Sequence, residues 1–316
     1  SGEQQRPPSG GWPFGARLCK VTPGTHEIKL RMRLWHGRFT LGQGIENTTV
    51  NILKGIIWTK RLFLLSVFIY FAFSCFAYDI ELYSEQVSWQ FEQLFNLVFC
   101  PLNYRNKEDL SRDMKVLIQR LSKTKPFNEV VERIRVYYIN LSREEENTIL
   151  KRTQGFPPLK VRQDFLDGIS AYLKSNYKLI IIDASGFSSC TELSSIDKTS
   201  LIILGRRRYK NEHSFARGFL HELGHSLGLR DECVNCQELC PAGPPNCAPT
   251  KEEAKRWWGK LVGSVPRVHY IRGCCGDKDY IRPTIASLMN DPDKAEDFGP
   301  VNERYLKNIL EGLSKK

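Results

Sequence analysis

The sequence predicts an α/β fold, a mixed twisted sheet covered by helices, for the part of the chain beyond residue 77. Three observations predict it. Short runs rich in β-branched and aromatic residues are interspersed with segments whose apolar residues recur every three or four positions. The two kinds alternate along the chain, the order expected when helices cover a sheet. Hydrophobic residues make up 41% of the 316 and charged residues 26%, ordinary values that exclude a wholly disordered or fibrous chain.

Residues 1–61 hold ten Lys or Arg against three Asp or Glu, +7 of the formal net charge of +11. The remainder is nearly balanced, so the basic total is a weak argument for a nucleic-acid partner, and none is expected. Residues 1–50 sustain no period. They are read as a basic leader or an upstream segment that is not translated, with synthesis starting near residues 53–57. Residues 62–77 (LFLLSVFIYFAFSCFA) follow Lys60-Arg61 and carry no charge. Sixteen residues suit a signal peptide or a short membrane anchor. Either would place residues 78–316 outside the cytoplasm, secreted or membrane-anchored.

Within residues 78–316 the elements follow in order. Residues 93–100 (QLFNLVFC) read as a buried strand. Residues 108–123 place Leu110, Met114, Leu117, Ile118 and Leu121 on one helix face. Pro126 breaks that pattern before a second strand at 134–141 (IRVYYINL). Phe165, Ile169, Tyr172 and Leu173 mark one side of the next helix, and residues 178–183 and 200–204 complete four strands. Residues 231–282, rich in Cys, Pro and Gly, read as a loop-dominated region. A last amphipathic helix, with Val301, Tyr305, Leu306, Ile309 and Leu310, closes the domain beneath the site.

The chemistry is concentrated in residues 221–232, HELGHSLGLRDE. Histidines four apart lie one turn apart on a helix, so His221 and His225 can reach one Zn²⁺. The apolar stripe of Phe215, Phe219, Leu223 and Leu227 runs along a different face, so core and metal do not compete. Glu222 stands where a carboxylate can take a proton from water at the metal without being a ligand. Gly228 permits a sharp helix end and a turn that can bring an acidic side chain back as third ligand. Asp231 is favoured for that role, with Glu232 the alternative and His269 behind both. His213 is expected to be exposed.

The pattern H-E-x-x-H-x-x-G-x-x-D resembles the metzincin clan of zinc peptidases, with Asp231 where many members have a third histidine. Ser287-Leu288-Met289-Asn290 resembles the clan's methionine turn, which implies that Met289 is structural. Residues 95–121, 124–142 and 221–232 are similar to the IgA-peptidase family and its uncharacterised relatives. The resemblance implies a metzincin-like fold, one zinc ion, and an endopeptidase acting on a protein or peptide substrate. It also implies that residues 200–204 form the sheet edge beside the cleft. No tyrosine stands two residues after Met289, so none is assigned a role, and immunoglobulin is not carried over as substrate. The competing reading is a zinc-containing extracellular binding protein of the same fold without turnover.

Eight cysteines lie beyond residue 78: Cys100, Cys190, Cys233, Cys236, Cys240, Cys247, Cys274 and Cys275. Their even number leads us to expect up to four disulfides. A second, structural zinc on Cys233, Cys236, Cys240 and Cys247 is the alternative. Arg206-Arg207-Arg208 is a short basic run compatible with a solvated edge, an acidic substrate or nucleic acid.

Overall fold

A computed structural model describes residues 79–82, 95–153, 159–173, 177–186, 188–191, 200–234 and 242–313. The leader at 1–61, the hydrophobic segment at 62–77 and the cysteines Cys19, Cys75, Cys236 and Cys240 lie outside these residues.

The chain forms a mixed α/β fold. Its main sheet joins β1 (Asp79–Leu82), β2 (Phe95–Leu102), β3 (Ile134–Asn140), β6 (Tyr177–Asp183), β7 (Cys190–Thr191) and β8 (Ser200–Gly205) in the order β1-β3-β2-β6-β8-β7. The inner pairs β3/β2, β2/β6 and β6/β8 are parallel, whereas β1 and β7 run antiparallel at the two ends. Two hairpins stand apart, β4 (Leu150–Arg152) with β5 (Leu159–Val161), and β9 (Ile271–Cys274) with β10 (Asp277–Arg282). The helices are α1 (Lys107–Leu121), α2 (Arg143–Ile149), α3 (Gln163–Leu173), α4 (Glu212–Ser226), α5 (Lys251–Trp258) and α6 (Pro300–Leu313).

Because side chains alternate across a strand, the apolar run of β6 serves both faces of the sheet at once. Ile180 and Ile182 join Leu97, Phe99, Ile202 and Leu204 against α1, α4 and α6. Leu179 and Ile181 join Val98, Cys100, Leu201 and Ile203 against Phe165 and Ile169 of α3. The first core therefore holds α4, the helix of the histidine motif, against the sheet through Phe215, Phe219, Leu220 and Leu223.

Several expectations are corrected. Residues 200–204 are not at the sheet edge: β7 pairs outside them, Cys190 opposite Ile203 and Thr191 opposite Ile202. Tyr172 is 57% exposed, because the buried face of α3 is centred between Phe165 and Leu166 and leaves Tyr172 at its margin. The region expected to be loop-dominated contains α5 and the β9/β10 hairpin, packed through Ala254, Trp258, Val268 and Ile281. Cys100 and Cys190 are buried thiols that form no disulfide. They lie on β2 and β7, three strand positions apart, roughly 14 Å at the usual spacing and beyond disulfide reach. Burial pushes the Cys100 thiol well above its usual range.

Cys247 and Cys274 form a disulfide, and Cys233 and Cys275 are disulfide-bonded as well. The extracytoplasmic placement is also corrected. Among the described residues no helix is long and apolar enough to cross a membrane. The longest, α1 and α4, have 15 residues each, short of the roughly 20 a span requires.

Candidate metal centre

Helix α4 begins with a capping box, in which the Asn211 side chain accepts from the Ser214 amide and the Ser214 hydroxyl accepts from the Asn211 amide. It ends at Gly228, whose φ of +97° is open to glycine and strained for other residues. The Leu229 amide turns back to the Gly224 carbonyl at 3.0 Å. Buried Lys178 on β6 reaches the last turn from below, its ammonium 3.2 Å from the Ser226 carbonyl and 2.9 Å from Ser200 Oγ. A cation at the carbonyl end of a helix is favourable.

That turn sends the chain back over the two histidines. Asp231 Oδ1 lies 3.4 Å from His221 Nε2 and 3.3 Å from His225 Nε2, and the two nitrogens are 3.1 Å apart. Ligands held ~2.0–2.2 Å from a tetrahedral zinc are separated by about 3.3–3.6 Å. The three donor atoms fit one face of such a tetrahedron. Each ring's other nitrogen is engaged, His221 Nδ1 with the Leu288 carbonyl at 2.8 Å and His225 Nδ1 with the Leu229 carbonyl at 2.9 Å. These carbonyls can only accept, so both Nδ1 atoms carry protons and both Nε2 atoms, the ones left to bind a metal, are turned toward Asp231.

The electrostatics follow from the same contacts. Burial and neighbouring His225 hold the His221 imidazole below its usual range. Burial opposes charge on His225 too, but the facing Asp231 carboxylate outweighs it and raises the imidazole to about 9. Burial alone would push the Asp231 carboxyl up; His225, His221 and Arg208 together bring it below the ordinary range.

Glu222 is 1% exposed. The Thr191 hydroxyl of β7 lies 2.8 Å from both its Oε2 and its main-chain oxygen. Glu232 sits next to Asp231 but faces away. Its carboxylate accepts from Ser287 Oγ at 2.6 Å, Asn302 Nδ2 at 2.8 Å, Asn246 Nδ2 at 3.0 Å and Thr284 Oγ1 at 3.3 Å. Met289 is fully buried under the motif helix, where a Cβ on Gly224 would meet its Sδ at 2.7 Å.

His269 is exposed, its main chain tied to Pro283 and to the Trp258 indole. His213 has a 54% exposed side chain and contacts Glu296 Oε1 at 3.0 Å. Arg206 of the basic run is turned inward, its Nε 3.1 and 3.2 Å from the Asp113 carboxylate and its guanidinium 4.8 Å over the Phe215 ring. Sequence reasoning missed Thr191 and Lys178, which lie far from the motif in the chain and in no recognisable pattern.

No protein-family model and no curated protein matches the chain. Among solved structures it is similar to the archaemetzincin of Methanopyrus kandleri, with 13% identity over 71% of this chain and 99% of the other, at a TM-score of 0.34. The archaemetzincin of Archaeoglobus fulgidus, complexed with malonate, is 12% identical over 44% and 83% of the two chains, at a TM-score of 0.24. At such TM-scores the likeness says nothing about this chain's chemistry.

Proposed function

We propose that this protein is a zinc-dependent peptidase whose metal is held by His221, His225 and Asp231. The observation that carries the reading is the triangle of donor atoms, with sides of 3.1, 3.3 and 3.4 Å, closed by residues on either side of the Gly228 turn. A neutral histidine pair with one carboxylate is a zinc donor set that leaves a position for substrate chemistry. When bound, zinc would supply Lewis-acid polarisation of a scissile carbonyl.

The chain's own residues do the rest. His221 and His225 offer Nε2 because Leu288 and Leu229 hold their Nδ1 protons. Glu222, one residue from the first ligand and electrostatically coupled to both rings, takes the proton of the attacking water and passes it to the leaving amine. Membership of the metzincin clan, and within it the closeness to the IgA-peptidase family, remains our reading of the motifs and of residues 95–142. Zinc analysis of the purified protein and cleavage of an unbiased peptide library, wild type against Glu222→Ala, test the function. The variant is expected to keep one zinc and lose cleavage; equal cleavage by both would discard the reading.

A further inference from the structure

We infer that Thr191 is the positioning residue for Glu222, holding Oε2 so that Oε1 is the oxygen offered to the reacting groups. The inference rests on the peptidase reading for the role of Glu222, but its geometry stands by itself. A glutamate on a helix has three side-chain torsions and fans its carboxylate over a wide arc unless something stops it. Among the described residues, the stop is one hydroxyl. Thr191 Oγ1 lies 2.8 Å from Glu222 Oε2 and 2.8 Å from the carbonyl oxygen of the same residue. Its single proton is shared between the Glu222 carboxylate and the main-chain oxygen of the same residue, so the carboxylate is folded back over its own backbone.

The hydroxyl is itself fixed. Thr191 is 1% exposed and β-branched, and its backbone is paired opposite Ile202 of β8. Ile202 belongs to the core that also packs α4. The carboxylate is therefore referenced to the end strand of the sheet as well as to its own helix. A threonine serving only to join β7 to α4 would need the contact with the Glu222 carbonyl and not the one with Oε2. The second contact identifies the role as orientation of the carboxylate.

The test uses the full-length, zinc-loaded protein and a fluorogenic peptide chosen from those the wild type cleaves. Thr191→Val keeps the shape and removes the hydroxyl; Thr191→Ser keeps the hydroxyl and removes a methyl. Thr191→Val is expected to bind zinc with wild-type stoichiometry and to keep KM, while kcat falls by roughly 10- to 100-fold, the scale on which a misplaced catalytic group is felt. Thr191→Ser should return kcat to within about threefold of wild type, since the donor to Oε2 is restored. If valine is not accommodated, Thr191→Ala removes the same hydroxyl without adding volume and carries the same expectation.

A crystal structure of the zinc-free valine or alanine variant supplies a readout independent of turnover. The Glu222 carboxylate should leave its wild-type position or occupy several rotamers. Wild-type kcat in the hydroxyl-free variant, a serine variant as slow as the valine one, or an unmoved Glu222 in the crystal would each overturn the inference. If the wild type cleaves nothing, the peptidase reading falls, and the crystal comparison still decides whether Thr191 holds Glu222.

Discussion

The main-chain amide of Glu232 donates to the carbonyl of Met289 at 2.8 Å, tying the segment that supplies Asp231 to the turn beneath the histidines. The Glu232 carboxylate then gathers four side-chain donors from the 246, 284–287 and 302 regions. Two adjacent acidic residues thus divide the work, Asp231 facing the imidazoles and Glu232 bracing the turn. In Glu232→Gln the oxygen that accepts from both Asn246 and Asn302 is kept, but an amide replaces Oε2, so the Ser287 and Thr284 hydroxyls can no longer donate there. We expect a loss of ~1–3 kcal/mol in urea unfolding, the cost of a disrupted buried polar contact. Zinc should still bind. Asp231→Ala is expected to do the reverse, lowering zinc affinity far more than it lowers the stability of the zinc-free protein. Isothermal titration beside the unfolding curves separates the two, and equal zinc loss in both variants would contradict this division.

Gly224 provides a second test of the same support. A Cβ there would lie 2.7 Å from Met289 Sδ and 3.0 Å from the Phe298 ring, with Leu229 at 3.3 Å. The neighbouring Leu288 carbonyl orients His221, so crowding Met289 should disturb the metal site as well as the core. Gly224→Ala is expected to cost ~1–3 kcal/mol by overpacking and to weaken zinc binding. A variant with wild-type stability and zinc affinity would show that the turn yields freely.

Much of this arrangement was legible in the sequence because it is written in local periodicity. Leu110, Met114, Leu117 and Leu121 mark α1 by spacing alone, and all four are buried. His221 and His225 converge because a helical turn makes them neighbours, and Gly228 marks the helix end because few residues tolerate its φ. What stayed hidden depends on pairing between distant segments. The two-residue β7 has no periodicity to detect, so residues 200–204 read as an edge, and the Thr191 contact with Glu222 could not be anticipated. Asp231 and Glu232 are chemically alike in the sequence; only the placement of Asn246, Ser287 and Asn302 distinguishes them.

The basic run divides by exposure. Arg206 bonds the buried Asp113 and covers Phe215, which packs in the core that holds α4, whereas Arg207 is exposed. Arg206→Ala should cost on the order of 1–2 kcal/mol, because it leaves the Asp113 carboxylate with a lost charged partner. Arg207→Ala should change stability by less than about 0.5 kcal/mol. Thermal unfolding of the two variants checks the contrast, and equal effects would remove Arg206 from its structural role.

Removal of the metal should expose a pH dependence set by His225. With Asp231 facing it, the His225 imidazole titrates at about 9 in the zinc-free fold, above its ordinary value of 6.5. A raised value in the folded state means stability that is fully present below about 6.5 and lost as pH rises through 9, with a slope of at most ~1.4 kcal/mol per pH unit. His221 and Asp231 shift downward, so their contributions change below this window and do not cancel it. Zinc needs the Nε2 lone pair, and the Nδ1 proton is kept by the Leu229 carbonyl, so binding must expel the Nε2 proton. Titration of zinc into the zinc-free protein at pH 7.5, repeated in buffers of different ionisation enthalpy, should report about one proton released per ion. Above pH ~10 the release should vanish, and below 9 each unit of acidification should weaken binding about tenfold. Zinc uptake without proton release at pH 7.5 would show that Asp231 and His225 are not paired as the geometry places them.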